Sequence, residues 1–203
     1  MTTDFNYPLS ESVDHLEQNK HHSMILYDEV KYGTAIKKRF IENGLKKGEH
    51  ATCFTPDDVN TLEKEVESSG IDVDSYKRQN LLHFYHIEDI SKRPDGIAAG
   101  FNDVLKQVTA YSKPPFRFVG KTISDVSTKE GILAELEVER IFHTGFDNYQ
   151  CSFLCPYDVS GIEQTKRPQW LRQLFSYHHN LIYATKPEKA VIFETDLLTF
   201  DEI

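Results

Sequence analysis

The sequence is poor in cysteine, in basic charge and in long apolar runs, and each shortage closes off a class of protein. Three cysteines among 203 residues, Cys53, Cys151 and Cys155, cannot build a disulfide framework. An odd, sparse set in a chain that opens on a polar, acidic stretch reads as reduced thiols in a cytoplasmic protein without a secretory leader. Lys and Arg number 23 against 32 Asp and Glu, a formal charge of −9. Phosphate binding needs a basic face, so no direct nucleic-acid partner is expected. Apolar runs such as Met24-Ile25-Leu26-Tyr27 fall far short of the roughly 20 residues of a membrane-spanning helix, so no membrane partner is expected either. No repeat, low-complexity tract or long linker interrupts the chain. What remains, 39% hydrophobic and 27% charged residues, is the composition of an ordinary globule with one sizeable core.

Residues 1–20 carry only Val13 and Leu16 at helical spacing and are expected to form a loose arm or a short peripheral helix. Residues 21–203 read as a single α/β domain. Strands are expected at Ser23–Tyr27, Ala51–Thr55, Leu81–His86, Phe116–Gly120 and Cys151–Cys155, with a further one at Ala190–Glu194. Helical stripes fall between them: Ile36, Phe40, Ile41 and Gly44; Val59, Leu62 and Val66; Ile97, Phe101, Leu105 and Val108; and Trp170, Leu171, Leu174, Phe175 and His178. Thr55-Pro56-Asp57-Asp58 and Ser127-Thr128-Lys129-Glu130 have the form of capping boxes that open helices. Strands of continuous rather than alternating hydrophobicity, separated by helices, predict a mostly parallel sheet covered on both faces, a three-layer architecture. Ligands of such sheets sit beyond the carboxyl ends of the strands. The candidates there are Tyr27, Asp28, Thr55, Asp57, His86, Glu88, Lys121, Tyr157 and Asp158. Helix N-termini at that edge would favour a polar or anionic ligand group, with Lys121 as the positive charge and Tyr27 and Tyr157 as an apolar wall with hydroxyl tips.

The first strand–helix turn is the natural place for a phosphate-binding loop, which needs Gly-x4-Gly-Lys-[Ser/Thr]. Only Gly33 fits. Asp28 stands where the first glycine belongs, Thr34 in place of the lysine and Ala35 in place of the magnesium-binding hydroxyl. Phe116-Arg117-Phe118-Val119-Gly120 ends without the acid that would hold magnesium from the next strand. No enzyme activity and no cofactor are expected from these losses.

The segment Phe40-Ile41-Glu42-Asn43-Gly44-Leu45-Lys46-Lys47-Gly48-Glu49 nonetheless resembles the region after the P-loop in KaiC- and RecA-like ATPases. The whole pattern is similar to the MEDS (methanogen/methylotroph, DcmR sensory) domain, a family with that fold. It runs from His22-Ser23-Met24-Ile25-Leu26-Tyr27 through the Phe40 to Glu49 motif, Lys92-Arg93-Pro94-Asp95-Gly96-Ile97, Arg117-Phe118-Val119-Gly120 and Glu139. It closes with Leu154-Cys155-Pro156-Tyr157-Asp158 and His178 or His179. One departure is Lys121-Thr122-Ile123-Ser124, where many bacterial members carry Glu-Pro-x-Trp. The resemblance implies a RecA/KaiC-like fold with a degenerate P-loop and a non-enzymatic sensory module for small hydrocarbon derivatives, signalling through a regulatory protein partner. The residues it matches, His22, Tyr27, Glu139, Cys155, Tyr157, Asp158 and His178, together with the strand-end residues Asp28 and Lys121, are the expected ligand-binding set. A residual nucleotide-binding protein and a structural subunit of a homo-oligomeric ring are the alternatives.

Nine histidines invite a metal reading, in which His21-His22, His83/His86, His143 and His178-His179 would gather with Cys155. None has the Cys-x2-Cys or His-Glu-x-x-His spacing that marks such sites, so hydrogen-bonded or surface histidines and no metal are expected. Cys151 and Cys155 share a strand face about 13 Å apart, too far to bridge, and read as inert thiols. Glu135, Glu137 and Glu139 alternate with apolar residues on one helix. Most of them are expected to face water, with Glu139 open to a salt bridge with Arg117 or Arg140.

Overall fold

The computed structural model describes residues 5–7, 13–14, 21–158, 167–186 and 189–195. Eight strands form one sheet: β1 (Phe5–Tyr7), β2 (His22–Tyr27), β3 (His50–Thr55), β4 (Leu82–His86), β5 (Phe116–Gly120), β6 (Cys151–Asp158), β7 (Asn180–Lys186) and β8 (Lys189–Glu194), in the order β1-β8-β7-β2-β6-β5-β3-β4. β2 to β7 pair in parallel, whereas β8 runs antiparallel to β7 and to β1. The helices are α1 (Val30–Lys46), α2 (Val59–Ser68), α3 (Val73–Arg78), α4 (Ile97–Thr109), α5 (Lys129–Gly145) and α6 (Arg167–Ser176).

Alternation along each strand divides the core in two. Met24, Leu26, Phe54, Phe118, Phe153, Cys155 and Tyr157 point to the side of α4, α5 and α6. Ile25, Cys53, Val119 and Leu154 point to α1, α2 and α3. The expected three-layer α/β sandwich is therefore present, with apolar packing on both faces of the sheet.

Several local expectations are corrected. Phe5–Tyr7 of the N-terminal arm is an edge strand paired with β8. Val13 is buried, while Leu16 lies outside the described residues. The cap of α2 is Asp58, whose carboxylate accepts the Asn60 N–H, and Thr55 Oγ1 instead accepts the Asp57 N–H in the turn before it. Thr128 caps α5 by accepting the Gly131 N–H. Helix α3 and strand β7 were not anticipated, because the first is a single polar-faced turn and a half and the second directly follows a helical stripe. With β7 in place, β8 is the return arm of a hairpin. His178 lies beyond the end of α6, just before β7. β6 extends to Asp158, so Tyr157 and Asp158 sit within the strand.

The motif from Phe40 to Glu49 has a structural explanation. Gly48 ends the chain's turn after α1 with a φ of 75°, a conformation that glycine adopts without a Cβ penalty. That turn delivers Glu49, fully buried, to Arg117 of β5, whose Nε donates to Glu49 Oε2 at 2.6 Å. Arg117 also donates to the Phe40 carbonyl at 3.2 Å and lies over the Phe40 ring at 4.5 Å. A Cβ on Gly44 would stand 2.3 Å from Arg117 Cδ, so only glycine lets the arginine pass beneath α1. Arg117 is thus committed to Glu49, not to Glu139, and Arg140 pairs with Glu137 on the solvent side.

Candidate functional site

A cleft of about 420 Å³ opens beyond the carboxyl ends of the parallel strands. Tyr27, Thr55, Asp57, Lys121, Tyr157 and Asp158 line it, as the fold predicts for strand-end residues. Asp28 is exposed and stands outside its lining, as do His86 and Glu88; His86 reaches the Asp57 carbonyl and Glu88 pairs with Arg93. Phe54, Leu62, Val119, Ile123, Val126 and Pro156 give the cleft an apolar lining that strand-end reasoning did not single out.

Its two lysines are already paired with acids. Lys121 Nζ lies 2.6 Å from Asp57 and Lys37 Nζ 2.5 Å from Glu65. Lys121, expected to meet an anionic ligand group, instead lies beside Asp57, and both lysines of the cleft are paired with acids. The P-loop remnant is closed as well. A Cβ on Gly33 would stand 2.7 Å from Tyr27 Cε1, so the tyrosine ring covers the helix where a phosphate would approach. Burial and the Asp158 carboxylate push the Tyr27 hydroxyl up to about 12, so the ring stays neutral.

Tyr157 is the link to a second, deeper feature. Its hydroxyl is buried and lies between two carboxyls of α5, 2.9 Å from Glu135 Oε1 and in a short contact with Glu139 Oε1. The expectation that these glutamates face water is corrected: α5 packs against the sheet, and both are 3% exposed. A tyrosine has one proton to donate. Burial, with the Glu139 charge beside it, pushes Glu135 up to about 8, so Glu135 carries the other proton. The chain then reads from the Glu135 carboxyl to Tyr157 and from Tyr157 to Glu139. Glu135 Oε2 is buried on the cleft side without a hydrogen-bond partner.

Below Tyr157, four side chains from four parts of the chain converge: His22 at the start of β2, Glu139 on α5, Cys155 in β6 and His178 after α6. One donor atom from each lies within 4.8 Å of all the others. His22 Nε2 is 2.9 Å from Glu139 Oε2 and 3.3 Å from Cys155 Sγ, and His178 Nε2 is 3.5 Å from Glu139 Oε2. All four residues are buried. Burial, reinforced by His179 and His143, holds His22 well below the usual imidazole range, and burial with His22 holds His178 at about 3. Both rings are neutral at pH 7. Burial raises the Cys155 thiol well above its ordinary value and Cys53 and Cys151 to about 12. All three thiols of the native protein should therefore be unreactive toward a soluble disulfide reagent, and all three should titrate after denaturation without reductant. Rapid modification of any of them in the folded chain would contradict this packing.

Fold and cleft together define the class as a RecA/KaiC-like α/β domain whose P-loop has been lost. The family model described as MEthanogen/methylotroph, DcmR Sensory domain (MEDS) matches residues 21–178, and the chain belongs to that family. Among solved structures it is similar to a KaiC-like protein of the hyperthermophilic archaeon Pyrococcus horikoshii, at 13% identity and a TM-score of 0.58 over 85% of this chain and 79% of that one. An uncharacterized protein of the same archaeon, solved with an unknown peptide, aligns at 13% identity and a TM-score of 0.55 over 92% and 87%. These likenesses show the fold. No curated protein matches the sequence significantly. Membership of a sensory-domain family indicates a sensory or regulatory role, and among the described residues no helix is long and apolar enough to cross a membrane.

Proposed function

We propose that the chain is a non-enzymatic sensory module whose cleft binds a small, uncharged organic molecule with one hydrogen-bonding head, and that it signals through a protein partner. The observation that carries the ligand class is Glu135 Oε2, a buried acceptor without a protein partner on the wall of a cleft whose exposed lining is mostly apolar. Leaving such an atom unsatisfied costs about 1–3 kcal/mol, which a ligand hydroxyl would recover. Paired lysines and a ring over Gly33 disfavour phosphate. Sensing rather than turnover is supported by the family and by the degenerate P-loop at Asp28, Thr34 and Ala35. The partner reading rests on the family.

Short-chain alcohols and haloalkanes are the probes. Ligand-observed NMR should detect binding of at least one to the wild type and loss of that signal in Leu62→Arg, which places a charge in the apolar wall. ATP–Mg and inorganic phosphate should leave the thermal midpoint unchanged. A dissociation constant for ATP–Mg below about 10 µM, roughly −7 kcal/mol, would overturn the reading in favour of a surviving nucleotide site.

A further inference from the structure

We propose that His22, Glu139, Cys155 and His178 form a closed, four-ligand site for a divalent cation of the zinc class. The proposal goes beyond the cleft reading and does not depend on it. Its starting point is a mismatch of lone pairs. His178 Nδ1 lies 2.8 Å from the Leu174 carbonyl, an acceptor only, so Nδ1 carries the ring's single proton. His178 Nε2 therefore presents a bare lone pair, and it faces Glu139 Oε2, a carboxylate oxygen, at 3.5 Å. Both atoms are buried: His178 Nε2 has no hydrogen-bond partner, and Glu139 Oε2 has His22 Nε2 at 2.9 Å and the Cys155 thiol as its other neighbours. Two acceptors facing each other in a dry interior are costly unless something positive lies between them.

A divalent cation fills this role. Zinc bonds of roughly 2.0–2.3 Å in a tetrahedron place neighbouring ligand atoms about 3.3–3.8 Å apart. The contacts of 3.3 Å from His22 Nε2 to Cys155 Sγ and 3.5 Å from His178 Nε2 to Glu139 Oε2 match those edges, the 2.9 Å pair needs to open slightly, and the wider separations, within 4.8 Å, need to close by about 1 Å at most. Two imidazoles, a thiolate and a carboxylate are ligands that zinc accepts. The charge also closes: a divalent cation, a thiolate and a carboxylate sum to zero in a site from which water is excluded. Binding takes the His22 ring with its Nε2 lone pair free and displaces the Cys155 thiol proton to solvent, so one proton leaves per cation bound.

The surroundings are those of a built site. Outer hydrogen bonds orient metal ligands. Here the Leu174 carbonyl fixes His178, and the Tyr157 hydroxyl holds Glu139 Oε1, turning Oε2 to the centre. Phe142 meets the His22 ring edge-on at 4.8 Å, and Phe146 and Phe153 stack on it at 5.9 and 5.7 Å, which keeps water out. Register explains how the strands cooperate. β2 and β6 run parallel with Met24 opposite Cys155 and His22 opposite Phe153, so His22 and Cys155 are diagonal neighbours on the same sheet face. With α5 and the end of α6 supplying the other two ligands, the cation would tie both helices to the centre of the sheet.

The test uses the full chain, produced without a polyhistidine tag, and no organic ligand. Elemental analysis after exposure to zinc and extensive dialysis should find about one zinc per chain. Cobalt in its place should show the spectrum of a tetrahedral site with a thiolate-to-cobalt charge-transfer band. Cys155→Ser should abolish that band, Cys53→Ser should leave it unchanged, and His178→Gln should weaken binding at least tenfold. Substoichiometric zinc together with a cobalt spectrum like that of the hydrated ion would overturn the proposal. So would a charge-transfer band that survives in Cys155→Ser. If the ligand variants do not fold, the wild-type cobalt spectrum and the Cys53→Ser control still decide it.

Discussion

Glu49→Ala is expected to destabilise the protein by about 3–5 kcal/mol, the range found when one partner of a buried ion pair is removed. Arg117 would be left under α1 with the Phe40 carbonyl and ring as its remaining contacts and no charge to balance it. Urea denaturation should show a large fall in midpoint with little change in slope. Replacing the pair together, as Glu49→Gln with Arg117→Met, should cost less than Glu49→Ala alone, because no charge is then buried unpaired. A loss below about 1 kcal/mol for Glu49→Ala would place the pair in the energetic class of surface salt bridges and refute its role as the tie between α1 and β5. This result would also separate the family's motif from its ligand chemistry. Phe40, Gly44, Gly48, Glu49 and Arg117 form one structural unit beneath α1, on the face of the sheet away from α5 and α6.

The metal-free protein should lose stability between about pH 7 and 8, by up to 1.4 kcal/mol per pH unit, and Glu135→Gln should flatten that slope. The sign follows from linkage. Glu135 is raised to about 8 in the folded chain from an ordinary value near 4.5. Between those values the native state holds a proton that the unfolded chain has released, so stability is full below the unfolded value and falls as pH rises through the folded one. His22 and His178 act oppositely: their folded values are lowered, so their contribution grows as pH rises and is complete above the ordinary imidazole range. In the pH 7–8 window Glu135 acts with the three raised thiols toward pH 8, so the difference between the wild type and Glu135→Gln is what isolates it. Urea titrations across it, with the variant as control, provide the measurement. A wild-type slope no steeper than that of Glu135→Gln would mean that Glu135 is ionised in the folded protein and that the proton chain through Tyr157 is misassigned.

The order of strands and helices from β2 to β6, apart from the short α3, was legible because hydrophobic runs and 3.6-residue stripes are local properties. The end of the chain was less so: β7 follows a helical stripe without a turn signal, and an antiparallel hairpin obeys no βαβ rhythm. The strand-end rule located the cleft through Tyr27, Thr55, Asp57, Lys121, Tyr157 and Asp158, but side-chain pairing decided its chemistry. Lys121 looked like a free cation because its partner Asp57 is 64 positions away in the sequence. The burial of Glu135 and Glu139 was hidden for a related reason: glutamates on a helix read as a wet face unless a buried tyrosine waits opposite them.

The sequence by itself determined the three-layer sheet, the loss of the P-loop and the family, because each depends on residue types in a linear pattern. Only the tertiary structure decided that Arg117 belongs to Glu49, that Glu135 and Glu139 flank Tyr157, and that His22, Glu139, Cys155 and His178 meet at one point. Those four residues come from β2, α5, β6 and the turn after α6 and share no short spacing. Their convergence arises from the parallel register of β2 with β6 and from the packing of α5 and α6 on that face, long-range facts that no local pattern encodes.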